Sequence, residues 1–326
     1  MSEAPTFAFE SGPKVVALGG GHGLAATLRA LRYLTPRITA IVTVADDGGS
    51  SGRLRTEFGI LPPGDLRMAL AALCADDSWG RAWADVVQHR FSGDGEIGGH
   101  SLGNLMLAAL WDMHDDWVVG LDRVAELLRV VGRVLPMAAT PLEICALVRD
   151  PQSGVVEEIR GQVAVATAKG NIVELSLNPA DPPARPEAIT AILDAEWITI
   201  GPGSWYSSVL PHLLVPAQRE ALIASKAKKI VLVNLDARPG EYPFGEAGGQ
   251  PPEDHLALLA AHAPGLRLDV VVADPTTVSN LERLSEVAGQ LGATVIIADL
   301  AEEPGSQHHD SVKLSRALND VFEGRA

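Results

Sequence analysis

The chain has 326 residues, 47% hydrophobic and 21% charged, a composition that folds rather than staying disordered. Lys and Arg number 26 against 41 Asp and Glu, a formal charge of −15, and this field repels duplex DNA and anionic membranes, so no nucleic-acid binding is expected. A small anion is not excluded, because salt screens the field beyond about 8 Å and nearby donors decide.

Residues 1–13 carry Pro, Gly and Ser without periodicity and read as an N-terminal tail. No basic stretch leads an apolar one there, and no apolar run approaches the roughly 18 residues of a spanning helix. A cytoplasmic protein without membrane insertion is expected. Residues 14–18 read as a buried strand, 19–23 as a glycine turn, 24–34 as a helix and 38–44 as a second strand. That order opens a parallel α/β sheet. Helical patterns follow around 65–73, 101–111 and 121–130.

Between about 133 and 184 the pattern changes. Segments 143–148, 162–168 and 172–177 read as short strands, the last two joined at Lys169-Gly170 as a hairpin. This predicts an antiparallel β insertion. Parallel order resumes with strands at 197–200, 229–235, 268–273 and 294–298, and helices at 212–224, 254–262, 278–291 and 311–322. Residues 236–252, rich in Gly, Pro and Glu, read as a long loop. The expectation is one Rossmann-like α/β domain over 14–322, a mostly parallel sheet with helices on both faces, and a short tail at 323–326. Cys74 and Cys145 lie in apolar sequence without a CxxC or Cys/His cluster, so neither a disulfide scaffold nor structural zinc is expected.

Four motifs carry candidate chemistry. Gly19-Gly20-Gly21-His22-Gly23 continues into Leu24-Ala25-Ala26, so residues 21–26 fit G-x-G-x-x-A, and Asp46 ends the second strand 25 residues after Gly21. This is the dinucleotide fingerprint: glycines let backbone N–H groups approach a phosphate at a helix N-terminus. Its bland alternative is a tight turn without a ligand. Asp46-Asp47-Gly48-Gly49-Ser50-Ser51 leads to Arg53, two carboxylates beside a glycine-serine nest. Carboxylates next to phosphate make sense if they hold Mg²⁺ or accept from hydroxyl and N–H donors; Asp47 is the expected ion ligand if there is one, and Asp46 the expected acceptor. The alternative is a solvated loop with an acidic cap. Asp65 and Arg67 open one helix, His100, Ser101 and Asn104 another, and Asp65 and Ser101 suit capping. Gly201-Pro202-Gly203-Ser204 and Asn234 end two later strands, where ligands bind in open parallel sheets. His308 and His309 beside Asp310 read as surface or cap residues. There is no Walker A, no G-x-S-x-G and no HExxH.

Taken in order, VALGGGHGLAATL, VTVADDGGSSGRLR, PPGDLRMALAAL, GHSLGNLMLAAL, GRVLPM, GPGSWYSSVLPHLLVP and the His309-Asp310 ending resemble the CofD/YvcK superfamily. The resemblance runs from Lys14 to about Leu318 and is nearest to the YvcK branch of gluconeogenesis factors, of actinobacterial type. It implies a CofD-like fold, binding of UDP-sugars such as UDP-GlcNAc or UDP-glucose, and a regulatory role in cell shape and cell-wall metabolism on gluconeogenic carbon, through protein partners the sequence does not identify. A homo-oligomer stays open. The related 2-phospho-L-lactate transferases use Mg²⁺ to move a phospholactyl group from a guanosine dinucleotide-like donor, an activity the YvcK branch is not known to share. One departure is plain: where the family reads close to T-Q-P-G-E-T, this chain has Asp236-Ala237-Arg238-Pro239-Gly240-Glu241-Tyr242. The readings in competition are a UDP-sugar-binding regulator, a Mg²⁺-dependent phospholactate-type transferase, an NAD-dependent oxidoreductase and a structural scaffold. The Asp-Asp-Gly-Gly-Ser-Ser loop weighs against the oxidoreductase, since a dinucleotide fold does not require it.

Overall fold

The structure is a computed structural model that describes residues 12–235 and 251–325. In chain order the first half runs β1 (Val15–Gly19), α1 (Gly21–Leu31), β2 (Ile38–Val42), α2 (Gly49–Phe58), α3 (Pro63–Ala72), α4 (Ser78–Gln88), α5 (Leu102–Met113), α6 (Trp117–Leu128) and β3 (Arg133–Pro136). The insertion holds β4 (Glu143–Arg149), β5 (Val156–Arg160), α7 (Gln162–Ala166) and β6 (Asn171–Asn178). Then come α8 (Pro186–Asp194), β7 (Trp197–Ile200), a π-helical turn (Trp205–Val209), α9 (Pro211–Leu214), α10 (Pro216–Ala224) and β8 (Lys228–Leu232). The chain closes with α11 (Pro252–His262), β9 (Val270–Ala273), α12 (Leu281–Gln290), β10 (Thr294–Ile297) and α13 (Ser311–Phe322).

Seven strands form one parallel sheet in the order β10-β9-β8-β7-β1-β2-β3. Strand β1 is buried at every position, and β7 and most of β8 likewise. Helices cover both faces of such a sheet, which is why these strands are unbroken apolar runs rather than alternating ones. The chain builds outward from β1 to β3 on one side, then returns to β7 and builds outward on the other. The order therefore reverses between β1 and β7, the point where an open parallel sheet leaves a crevice beyond its strand ends.

A second sheet, β5-β4-β6, is antiparallel, as expected for the insertion. Three details differ from the sequence expectation. Residues 133–136 are β3, the edge of the parallel sheet, so antiparallel structure begins only at Glu143. No hairpin forms at Lys169-Gly170: residues 162–166 are the helix α7, and β6 pairs with β4. The alternation in Gln162-Val163-Ala164-Val165-Ala166 suits one turn of helix that buries only Val165 as well as it suits a strand. Helices α2 and α4 are also present where the sequence suggested a loop and no element. Most of the expected N-terminal tail and long loop, with the Asp236–Tyr242 departure, lies outside the described residues.

Candidate functional site

The crevice sits at the switch point. Strand β1 ends at Gly19 and turns into α1, while β7 ends at Ile200 and turns through Gly201, Pro202 and Gly203 into the π-helical turn. These two glycine segments face each other across a cavity of about 320 Å³. Gly20, Gly21, His22 and Gly23 form one wall, and Pro202, Gly203 and Ser204 the other, with Asp65 at the base. Gly23 allows the walls to meet: a Cβ there would collide with the Pro202 carbonyl oxygen and lie 2.9 Å from the Gly203 nitrogen. Gly21 is needed for its backbone, at φ +57°. The cap residue Gly20 has no side chain to cover the first turn of α1, so N–H groups of that turn are open to an anion.

The second wall is braced from β8. Asn234 accepts from the Gly203 N–H through Oδ1 at 2.9 Å and donates to the Gly203 carbonyl through Nδ2 at 2.9 Å. Asn234 is buried, so Asn234→Leu strands both backbone groups. We expect a loss of about 2–4 kcal/mol in urea unfolding, with ligand affinity falling alongside. Unchanged stability would mean that the wall needs no brace. His212 supports the first wall. Its Nδ1 takes the Gln218 amide proton at 2.7 Å, so Nε2–H donates to the Gly19 carbonyl at 3.3 Å. Full burial holds this imidazole neutral, down to about 4.

Asp65 does not cap α3; its Oδ2 accepts from Thr43 Oγ1 at 3.2 Å, and it also takes the Gly21 N–H. It keeps some surface toward the cavity while protein encloses it otherwise. Burial, and then the nearby Asp46 charge, push its carboxyl up to about 7. Asp46 Oδ1 accepts from the Gly48 N–H at 2.9 Å. Asp47 points elsewhere: its Oδ1 takes the Val163 N–H at 3.0 Å, which ties the loop after β2 to α7 of the insertion. The expected ion ligand is thus already engaged by backbone.

The remaining expected residues form a buried layer behind the crevice. Ser50 Oγ lies 2.9 Å from His100 Nδ1 and accepts from Asn104 Nδ2 at 2.9 Å. Ser51 Oγ accepts from the Gly64 N–H at 3.0 Å, clamping α2 to α3. Gly48 and Gly49 start α2, and Gly49 at φ +46° turns the chain into it. Arg53 is exposed and donates to the Gly98 carbonyl at 3.0 Å, away from the cavity. Arg67 is buried, and its Nε lacks a partner. Burial and Arg90 lower its pKa, while Asp65 and Asp46 oppose that. Ser101 occupies the cap position of α5 without a capping bond.

Four cavity residues escaped the sequence expectation. Ser207 and Ser208 follow Ser204 in the π-helical turn, Gln162 reaches in from α7, and Gln307 comes from the C-terminal loop. His309, expected as a surface or cap residue, is buried and lines the cavity; only Asp310 caps α13, accepting from Val312 and Lys313. His22 stands exposed at the mouth, its pKa lowered by partial enclosure and then by His308, Arg29 and Arg67.

Sheet order, switch-point crevice and glycine walls define a Rossmann-ordered α/β protein with an anion-accepting cleft. The chain belongs to the CofD family: the family profile described as 2-phospho-L-lactate transferase CofD matches residues 15–309. Among its relatives, a protein of Mycobacterium leprae named "Putative gluconeogenesis factor" is 50% identical over 96% of this chain and 87% of its own. The "Gluconeogenesis factor" of Bacillus subtilis is 42% identical over 77% of this chain and 75% of its own. A crystal structure of a Bacillus halodurans protein, described as a member of the UPF0052 family, superposes with a TM-score of 0.78 at 33% identity, covering 94% of this chain and 99% of that one. No helix among the described residues is long and apolar enough to cross a membrane.

Proposed function

We propose that the crevice binds a UDP-sugar such as UDP-GlcNAc or UDP-glucose, and that the protein acts as a cytoplasmic regulator of cell shape and cell-wall metabolism on gluconeogenic carbon. The observation that carries the binding half is the meeting of two glycine walls at the switch point, with open N–H groups of α1 facing a polar cavity. The phosphates lie on residues 20–23, and the serines and glutamines of the other surfaces take the hydroxyl-rich remainder. The regulatory half rests on the gluconeogenesis-factor names of the relatives.

A second reading, a Mg²⁺-dependent transferase of phospholactate type, draws on the Asp46–Asp65 pair. Two carboxylates close enough for one to raise the other's pKa fit the way Mg²⁺ is held, by one or two carboxylates with phosphate completing the shell. Asp46 and Asp65 would hold the ion, which supplies charge neutralisation at a transferring phosphoryl group. No group of three or more His, Cys, Asp or Glu positioned for a metal exists among the described residues.

Thermal shift and titration calorimetry separate these readings. UDP-GlcNAc or UDP-glucose at 100 times Kd is expected to stabilise the protein by about 2.7 kcal/mol, and NAD not at all. In EDTA the affinity is expected to fall less than about tenfold. Stabilisation by NAD alone moves the reading to an oxidoreductase. Binding that disappears in EDTA and returns with Mg²⁺, together with turnover of a nucleotide donor, replaces the regulator with the transferase.

A further inference from the structure

His309 is 7% exposed, lines the crevice and carries an Nε2 without a hydrogen-bond partner. Its ring bonds the backbone of Val233, just beyond β8. The Val233 N–H is already given to the Val272 carbonyl at 3.0 Å, so the partner is the Val233 carbonyl and the ring donates to it. With Nε2 unpartnered, the donor is Nδ1–H. In a neutral imidazole the other nitrogen is then a bare acceptor. Burial first, with His308 adding to it, keeps the ring neutral, with a pKa of about 4, although the Val233 bond and Asp274 oppose the shift.

The ring is held in place before any ligand arrives. Asp274, at the end of β9, accepts from the Leu300 N–H at 2.7 Å and the Ala301 N–H at 3.3 Å. Ala301 bridges to His309, and the Asp310 N–H donates to Leu300 at 2.8 Å. A buried, pre-positioned acceptor facing a cavity is rare unless something donates to it. A phosphate oxygen cannot, because it is itself an acceptor. A hydroxyl or amide N–H can.

We infer that His309 Nε2 accepts a hydrogen bond from a hydroxyl or N–H group of the bound nucleotide sugar, and so sets which way the ligand lies between the α1 wall and the C-terminal loop. This rests on the nucleotide-sugar reading above. The donor belongs either to the pendant sugar or to the nucleoside.

The test is calorimetric titration of UDP-GlcNAc and of UDP into wild type, His309→Phe and His309→Gln, with folding checked by near-ultraviolet circular dichroism. His309→Phe keeps a ring and loses the acceptor; UDP-GlcNAc affinity is expected to fall about tenfold or more. His309→Gln returns an acceptor and should recover most of that loss. A loss for UDP-GlcNAc but not UDP assigns the donor to the sugar, and equal losses assign it to the nucleoside. Unchanged affinity in folded His309→Phe overturns the inference and leaves the nucleotide-sugar reading standing. Wild type that binds neither ligand overturns both. If the variants do not fold, nitrogen-15 shifts of the wild-type imidazole decide: an unprotonated Nε2 that moves on ligand addition supports the inference. A protonated Nε2, or one the ligand leaves unmoved, overturns it.

Discussion

Gly23→Ala is expected to lower the melting temperature by roughly 5 °C or more and to remove UDP-sugar binding. The new Cβ would meet the Pro202 carbonyl group and the Gly203 nitrogen, all of them backbone atoms, so no side chain can swing aside. The walls must part, at a cost near the upper end of overpacking, about 3 kcal/mol. Gly21→Ala is the instructive comparison. Gly21 has the left-handed φ, but its added Cβ would find only Asp65 Oδ1, at 3.9 Å. Its cost is conformational, about 1–2 kcal/mol. Differential scanning calorimetry should therefore rank Gly23→Ala as the more damaging change. The reverse ranking would mean that the contact between the walls is not what the crevice depends on.

Acid should erode stability through His212, and the sign follows from its lowered pKa. The unfolded chain takes up a proton near the ordinary 6.5, whereas the folded imidazole does so only near 4. Its contribution is complete above about pH 6.5 and is lost as pH falls toward 4, about 3 kcal/mol in all. Asp65 acts in the opposite sense. Its carboxyl is raised to about 7 in the fold, so its contribution is present below the ordinary 3.8 and is lost as pH rises through 7. Wild type alone therefore mixes the two effects. The gap in unfolding free energy between wild type and His212→Gln isolates the histidine. That gap is expected to narrow by about 3 kcal/mol between pH 7 and pH 4 in urea titrations. A constant gap would show that His212 is not held neutral.

The parallel strands were legible because each is a short, continuous apolar run. Residues 197–200 and 294–298 are observed as Trp197–Ile200 and Thr294–Ile297. Helix α2 was not legible, since Gly49-Ser50-Ser51-Gly52 has poor helix propensity; bonds such as Ser51 to Gly64 and Ser50 to Asn104 hold it from outside. In the candidate site, Gly20–Gly23, Pro202–Ser204 and Asn234 were readable because they sit at strand ends, where ligands gather in such sheets. Gln162 and His309 were not. Nothing local marks a glutamine at the start of a five-residue helix as lining a distant cleft. The His308-His309 pair looks like surface until the Asp274 bonds fold its loop back over β9. Asp47 shows the converse: its sequence suggested a ligand, and long-range packing gave it the Val163 N–H instead.

The crevice takes its surfaces from residues 20–23, 162, 202–208, 234 and 307–309, so its two ends lie almost a full chain length apart in synthesis. Helix α13, the last described, packs on α1, the first. A growing chain could pair β1 with β2 and dock α1 early, yet it would hold no competent pocket until the ribosome had released the segment carrying His309. A bound ligand would then act as a clasp between the oldest and newest parts of the polypeptide. Its protective effect against proteolysis should spread over the whole parallel sheet rather than stay with the loops it touches.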